Sequence, residues 1–195
     1  MSVEIEIKMR LHDIRELESR LSAMGGEPGG DTIEVNTYLD TADGALRLSD
    51  QGLRVRIETP LNQEAPSVAT MTYKGPRAHS EVKRRTELEV AVEPASSAIK
   101  LLEALGFGSV RQFEKRRRHW QVDDCVVDID TLPHLGDFVE IEGPSEQAVL
   151  TLRHQLGLDQ SPLVQESYVA MLETYLREHH ISDDVVRLAS NRSTS

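Results

Sequence analysis

Aromatic side chains are scarce: one tryptophan, four tyrosines and three phenylalanines among 195 residues. So few rings argue against a stacking platform for single-stranded nucleic acid, which lays successive bases on aromatic faces. Cysteine is limited to Cys125, so no intrachain disulfide can form, and a reducing, cytoplasmic location is expected. Long apolar runs are missing too. No stretch approaches the ~20 residues that span a bilayer, and the first residues go straight into patterned sequence without the character of a signal peptide. Positive charge is in deficit, with 22 Lys and Arg against 33 Asp and Glu for a net charge of −11. That balance works against bulk electrostatic binding to DNA, RNA or an anionic membrane. A polyanion can bind such a chain only where bases are concentrated in one place or metal cations join them.

What is present is patterned. An apolar fraction of 38% and a charged fraction of 28% fit one soluble globular domain, expected over residues 1–180, with a partly disordered tail over 181–195. Residues 3–9 alternate strictly, Val3, Ile5 and Ile7 against Glu4, Glu6 and Lys8, which predicts a strand. Asp13 caps a predicted helix to about Met24, with Ile14, Leu17, Leu21 and Met24 on one stripe and Gly25-Gly26 ending it. Strands follow over 32–39, 53–58, 68–74 and 83–92, with a turn at 42–44 and loops holding Pro60, Asn62, Pro66, Gly75 and Pro76. Pro94 opens a second helix, running through Ile99, Leu102 and Leu105 to Gly106. Three further strands are predicted over 110–122, 125–130 and 137–142, the first two joined by a tight turn at Asp123-Asp124. Ser145 starts a helix to about Leu156, and a last helix covers 166–179. Roughly eight antiparallel strands with about four helices make an α+β chain rather than an alternating parallel one.

The polar positions of those strands carry the chemistry. Residues two apart share a face, and the shared faces read Glu4, Glu6, Lys8; Arg54, Arg56; Lys83, Arg85, Glu87, Glu89; Lys115, Arg117; Asp128, Asp130; Glu140, Glu142. Lys74 ends its strand after Thr70 and Thr72 on the same parity. An open sheet with these charges in water explains any single strand. The set as a whole is better explained by closure, because a solvated face mixes Ser, Thr, Asn and Gln among its charges and here nearly every position is ionic. Closed, the side chains converge on an interior that must be wet or filled by ligand. Arg forks and Lys point charges suit phosphate oxygens, and carboxylates beside them suit a hard cation shared with the phosphates. Mixed acids and bases in one tunnel are what metal-assisted phosphoryl chemistry requires.

Glu4-x-Glu6-x-Lys8 near the N-terminus resembles the ExExK signature of the CYTH superfamily, the triphosphate tunnel metalloenzymes. The segments Tyr38-Leu39-Asp40, Leu53-Arg54-Val55-Arg56, Thr72-Tyr73-Lys74-Gly75-Pro76, Arg85-Thr86-Glu87-Leu88-Glu89, Glu114-Lys115-x-Arg117 and Leu135-Gly136-Asp137-Phe138-Val139-Glu140-Ile141-Glu142 follow in that family's order. The Lys-Gly-Pro and Leu-Gly-Asp-Phe segments, with Glu166-Ser167-Tyr168, look most like the class IV adenylyl cyclase branch. The resemblance implies a closed antiparallel eight-stranded β-barrel, a tunnel with helices packed outside. It implies Mg²⁺ or Mn²⁺ as cofactor and a nucleoside triphosphate, or another inorganic or organic triphosphate, as partner; a homodimer is compatible with it. By motif position, Glu4, Glu6 and Glu140 are the expected metal-binding carboxylates, joined by Glu87 and Glu142. Lys8, Arg54, Arg56, Lys74, Arg85, Lys115 and Arg117 are expected to grip phosphates, with Lys8 and Asp130 as catalytic groups. Conversion of ATP to cyclic AMP and pyrophosphate, tripolyphosphate or thiamine triphosphate hydrolysis, and turnover-free polyphosphate sensing all fit this clamp.

Other signals carry less. Gly25-Gly26 and Gly29-Gly30 lack the Gly-Lys-Ser/Thr of a phosphate loop and read as a helix stop and a turn. His179-His180 has no acidic or thiol partner in sequence and reads as structural. Arg116, Arg118 and Trp120 have the parity opposite Lys115 and Arg117, so they are expected on the outer face, the arginines as a solvated patch.

Overall fold

The computed structural model describes residues 2–61, 65–78 and 82–189. Asn62 of one predicted loop and the polar end of the tail lie outside the described residues. In order the elements are β1 (Ser2–Arg10), α1 (Ile14–Ala23), β2 (Glu27–Thr41), α2 (Ala45–Leu48), β3 (Gly52–Pro60), β4 (Val68–Lys74), β5 (Lys83–Ala91), α3 (Ala95–Ala104), β6 (Phe107–Val122), β7 (Cys125–Leu132), β8 (Gly136–Glu142), α4 (Glu146–Gln155), α5 (Tyr168–Glu178) and β9 (Val185–Val186). The strands run β2-β3-β4-β5-β1-β8-β7-β6, and β6 pairs back onto β2, closing an eight-stranded antiparallel barrel. Closure removes every sheet edge that a barrel strand could offer. The exception is a short stretch of β6 beyond the reach of β7, where β9 pairs in parallel at Gln112 and Phe113. β9 falls within the stretch expected to be tail; two residues are too few to show a period.

The caps predicted at Asp13 and Ser145 form, and the last helix starts at Tyr168 behind a Ser167 cap rather than at residue 166. The Asp13 carboxylate accepts the Glu16 amide at 3.0 Å at the start of α1, the Ser145 hydroxyl accepts from Ala148 at 3.2 Å, and the Ser167 hydroxyl accepts from Ala170 at 3.3 Å. Gly25, at φ 79°, ends α1 as expected. Gly29-Gly30 is no turn: it lies inside β2, where the register against β6 slips between Pro28 and Gly30. A Cβ on Gly29 would stand 3.0 Å from that of His119, so the bulge is built on the absence of a side chain. The β6–β7 hairpin turns at Asp123, φ 49°, a left-handed conformation that Asp tolerates.

Two of the three apolar clusters lie outside the barrel. α1 and α4 cover the outer faces of β1, β7 and β8, burying Leu17, Leu21, Val149 and Leu152 against Ile7, Met9, Val127, Ile129, Val139 and Ile141. α3 packs over β3, β4 and β6, with Leu102 in one cluster with Leu39, Leu53 and Val55. α5 sits at one end of the barrel, where Tyr168, Met171, Leu172 and Leu176 meet Phe113, Leu132 and Phe138. Trp120 packs against the outer core, as its parity predicts. Arg116 and Arg118 also face outward, but as ion pairs with Asp31 and Glu18 rather than a solvated patch. No helix among the described residues is long and apolar enough to cross a membrane.

Candidate active site

The other face of the barrel strands points inward and is largely charged, with neutral positions in β2 and β4. In β1, β2, β3, β4, β7 and β8 the inward residues are even-numbered; in most of β5 and β6 they are odd-numbered. Together they line a continuous cavity of about 1110 Å³. Glu4, Glu6, Lys8, Arg54, Arg56, Lys74, Arg85, Glu87, Lys115, Arg117, Glu140 and Glu142 all face it. Asp130 does not: it is fully buried behind the wall.

The β2–β6–β7 wall is a closed electrostatic lattice. Arg117 meets Asp130 through Nε at 2.7 Å and Nη2 at 2.6 Å, Asp128 through Nη1 at 2.6 Å, and Glu140 through Nη2 at 2.5 Å. Lys115 lies 3.0 Å from Asp130 and 3.3 Å from Glu34. Glu34 also takes Arg56 at 3.1 Å and Arg117 at 3.4 Å. Burial alone would push the Glu34 carboxyl up, but Lys115, Arg117, Arg56 and Arg54 together hold it well below the usual range. Arg117, likewise disfavoured by burial, is held fully charged by Asp130, Asp128 and Glu34. His119 extends the lattice by a 2.7 Å contact to Asp128.

The facing wall is looser. Arg54 is only 9% exposed, its Nε is buried without a hydrogen-bond partner, and it makes no ion pair among the described residues. Arg85 spends its guanidinium on the Gly75 and Asp50 carbonyls, at 3.0 and 3.1 Å. Lys74 lies 2.6 Å from Glu4 and 3.3 Å from Glu87. Lys83 lies 3.3 Å from Glu6; burial and the nearby Lys8 ammonium push its own ammonium below the usual lysine value. Lys8 is fixed by Glu140 at 3.3 Å, the Glu166 carbonyl at 3.1 Å and the Tyr168 ring, 3.8 Å below it. The Tyr168 hydroxyl is buried near Asp130 without closing a well-formed hydrogen bond, and burial and the Asp130 charge push its phenol well up.

Acids crowd one region of the tunnel. Glu6 and Glu142 are cross-strand partners, and Glu4 stands two residues along the same face. Partial burial and the charges of Glu4, Glu6 and Glu87 push the Glu142 carboxyl up to about 7, against the pull of Lys74. An all-oxygen cluster under this repulsion has the donor chemistry of a hard divalent cation. No three acids of the described residues converge tightly enough to hold an ion as they stand, because Glu4 and Glu6 are drawn onto Lys74 and Lys83.

Several residues of this site escape a reading of motifs. Glu34 sits between Thr32 and Asn36, neutral neighbours that break the ionic pattern of its face. Lys83 reads on the charged face with Arg85 but, lying outside the family motifs, receives no role in the site from the sequence. Arg77, which clamps Asp50 at 2.7 Å and the Gln165 carbonyl at 2.5 Å across the cavity mouth, lies in a loop where periodicity says nothing.

A family model described as the CYTH domain matches residues 2–168. The chain belongs to the CYTH family. Adenylate cyclase CyaB of Aeromonas hydrophila is 28% identical over 183 residues, covering 89% of this chain and 90% of that protein. A candidate adenylate cyclase of Methanocaldococcus jannaschii is 29% identical over 140 residues, covering 72% of this chain and 76% of that one. Among solved structures, the PH1819 protein of Pyrococcus horikoshii superposes with a TM-score of 0.77 at 25% identity, covering 88% of this chain and 99% of that one. HpAC1 of Hippeastrum, described as a candidate adenylyl cyclase with a dominant triphosphatase activity, superposes at 0.70 with 19% identity, covering 88% and 96%. This CYTH chain therefore shares its barrel with proteins named for both activities.

Proposed function

We propose that the tunnel binds a triphosphate together with Mg²⁺ or Mn²⁺ and acts as a class IV adenylyl cyclase, converting ATP to cyclic AMP and pyrophosphate. The observation that carries the reading is Arg54: a side chain only 9% exposed, facing the cavity beside Lys74, with its Nε unbonded and no ion pair among the described residues. Burying an unpaired charge is costly, so such a group implies an anionic occupant. Arg54, Arg56, Lys74, Arg85 and Lys8 form the phosphate grip, with Lys83 added to them. Lys115 and Arg117 complete it on the opposite wall, where Asp130 holds both in place rather than touching substrate. Glu4, Glu6 and Glu140 would hold the cation, with Glu87 and Glu142 beside them. Held there, the cation would supply positive charge that neutralises the phosphates. The ribose 3′-hydroxyl loses its proton to water in the tunnel as its oxygen bonds to the α-phosphorus, the bond from that phosphorus to the oxygen bridging to the β-phosphorus breaks, and pyrophosphate leaves. The chain contributes alignment and charge: its bases hold the three phosphates in line and neutralise the leaving group.

The names of the A. hydrophila and M. jannaschii relatives support the cyclase reading. Hydrolysis of the terminal phosphate is the second reading, supported by the activity described for HpAC1 on the same fold. Product analysis of the purified protein with ATP and with tripolyphosphate, each with Mg²⁺ or Mn²⁺, decides between them. Cyclic AMP with pyrophosphate is the expected result; orthophosphate without cyclic product would replace the first reading by the second. Tight binding without turnover would make the tunnel a polyphosphate sensor.

A further inference from the structure

Tyr168, the first residue of α5, does more than begin a helix. It is 7% exposed, belongs to one apolar cluster with Phe113, Leu132, Leu135 and Phe138, and meets the Phe138 ring edge-on at 5.2 Å between centroids. Apolar packing does not call for the two ammonium groups beside it. The Lys8 Nζ lies 3.8 Å from the ring centroid and the Lys115 Nζ 5.4 Å from it. Both fall within the ~6 Å over which the negative face of an aromatic ring attracts a cation. Lys8 comes from β1 and Lys115 from β6, with β8 and β7 between them in the sheet. One ring thus attracts two like charges that the strand order keeps apart.

The chain reaches this point by a fixed route. After α4 it joins the end of β1: Leu163 bridges to Met9, the Val164 amide donates to the Lys8 carbonyl at 2.8 Å, and the Glu166 carbonyl accepts the Lys8 Nζ at 3.1 Å. Ser167 then caps α5, and Tyr168 follows. Backbone and side chain of Lys8 are therefore both tied to the segment that carries the ring. The Tyr168 hydroxyl closes no well-formed hydrogen bond, so the ring and not the hydroxyl does the holding. A ring also does what a carboxylate does not. Glu140 holds Lys8 at 3.3 Å and Asp130 holds Lys115 at 3.0 Å, each cancelling positive charge that a phosphate would otherwise meet. An uncharged ring restrains a flexible lysine and leaves its charge on offer.

We propose that Tyr168 is a positioning residue, whose ring aims Lys8 and Lys115 as a pair at the bound triphosphate. The proposal rests on the triphosphate reading of the tunnel. Its test measures turnover of whichever of ATP and tripolyphosphate the wild type consumes. The proteins compared are Tyr168→Leu, Lys8→Met, their double variant, and Tyr168→Phe with its progressively fluorinated analogues. Tyr168→Leu should lower kcat/KM at least about tenfold, since a misplaced group forfeits its alignment. Tyr168→Phe, which keeps the ring, should recover it to within about threefold of the wild type. In the Lys8→Met background Tyr168→Leu should cost no more than about threefold further, because the main group it aims is already gone. Fluorine keeps the shape of the ring while draining its negative face, so turnover should fall with each addition while melting temperatures stay level. That series decides the matter even where Tyr168→Leu fails to fold. Additive losses in the double variant, or fluorinated rings that work as fast as Tyr168→Phe, would overturn the positioning role and leave the tunnel intact. A wild type that binds neither ATP nor tripolyphosphate would overturn the triphosphate reading, and this role with it.

Discussion

Arg54 and Glu34 are both buried and charged, and they have opposite fates in the apo protein. Glu34 is fully buried with three cations within 3.4 Å, whereas Arg54 has no carboxylate of the described residues within ion-pair reach. An unpaired buried charge opposes folding, and a paired one opposes it when its partner is removed. Arg54→Met should therefore leave the ligand-free protein as stable as the wild type or more so, while weakening triphosphate binding at least about tenfold. Thermal melting without ligand, set beside a binding titration, checks both halves; a destabilised Arg54→Met would mean that the guanidinium is structural. Glu34→Gln should cost about 3 kcal/mol or more, because it strands Lys115, Arg56 and Arg117 around a neutral amide. The Glu34 carboxyl is depressed below 4.5 in the folded protein. Its contribution is thus complete above about pH 4.5 and is lost as pH falls toward the folded value. Urea midpoints for wild type and Glu34→Gln should converge as pH is lowered from about 6 to about 3, and a gap that widens would reverse the assignment.

At the scale of elements, strand parity decides which arginine works. Arg117 faces the cavity with four carboxylates around it, and its neighbour Arg118 faces Glu18 and Asp31 outside. Arg117→Ala should reduce turnover at least about tenfold, whereas Arg118→Ala should leave it within about twofold at a stability cost near 1 kcal/mol or less. Steady-state rates on the two proteins measure this, and equal losses would contradict the inward and outward assignment of β6. That assignment was legible because the outer faces of β1, β3, β7 and β8 bury Ile, Leu and Val under helices, so charge and apolarity alternate cleanly along the chain. β2 was harder to read. Its inward residues include Thr32, Asn36 and Tyr38, and Gly29-Gly30 looks like a turn until His119 is seen to fill the space opposite. α2 and β9 were illegible for a simpler reason: four and two residues hold less than a full repeat of any pattern, and both are placed by tertiary contacts. The placement of Asp130 was invisible as well, since parity puts it on the inward face but cannot show Arg117 lying between it and the cavity.

At the scale of the molecule, the usual order of a small domain is largely reversed, with two of the three apolar cores outside the barrel and ions inside it. The net charge of −11 makes this arrangement ill suited to a polyanion in bulk, yet inward Lys and Arg from five of the eight barrel strands converge on one cavity. A filled tunnel should then be markedly more stable than an empty one, because the occupant supplies the counter-charge that Arg54 lacks and a cation relieves the crowding at Glu142. Ligand binding at a hundredfold excess over Kd adds about 2.7 kcal/mol to folding stability. For a chain of this size each kcal/mol moves the melting temperature by roughly 2–4 °C, so saturating tripolyphosphate with Mg²⁺ should raise it by about 5–10 °C. The rise should shrink in high salt, which screens the exposed part of the grip while the buried pairs persist. It should also be smaller when either tripolyphosphate or Mg²⁺ is given alone, since each then meets like charge left uncompensated. Differential scanning calorimetry under the four conditions measures these terms, and an equal shift with sulfate at matched ionic strength would mean that the tunnel senses anions in general.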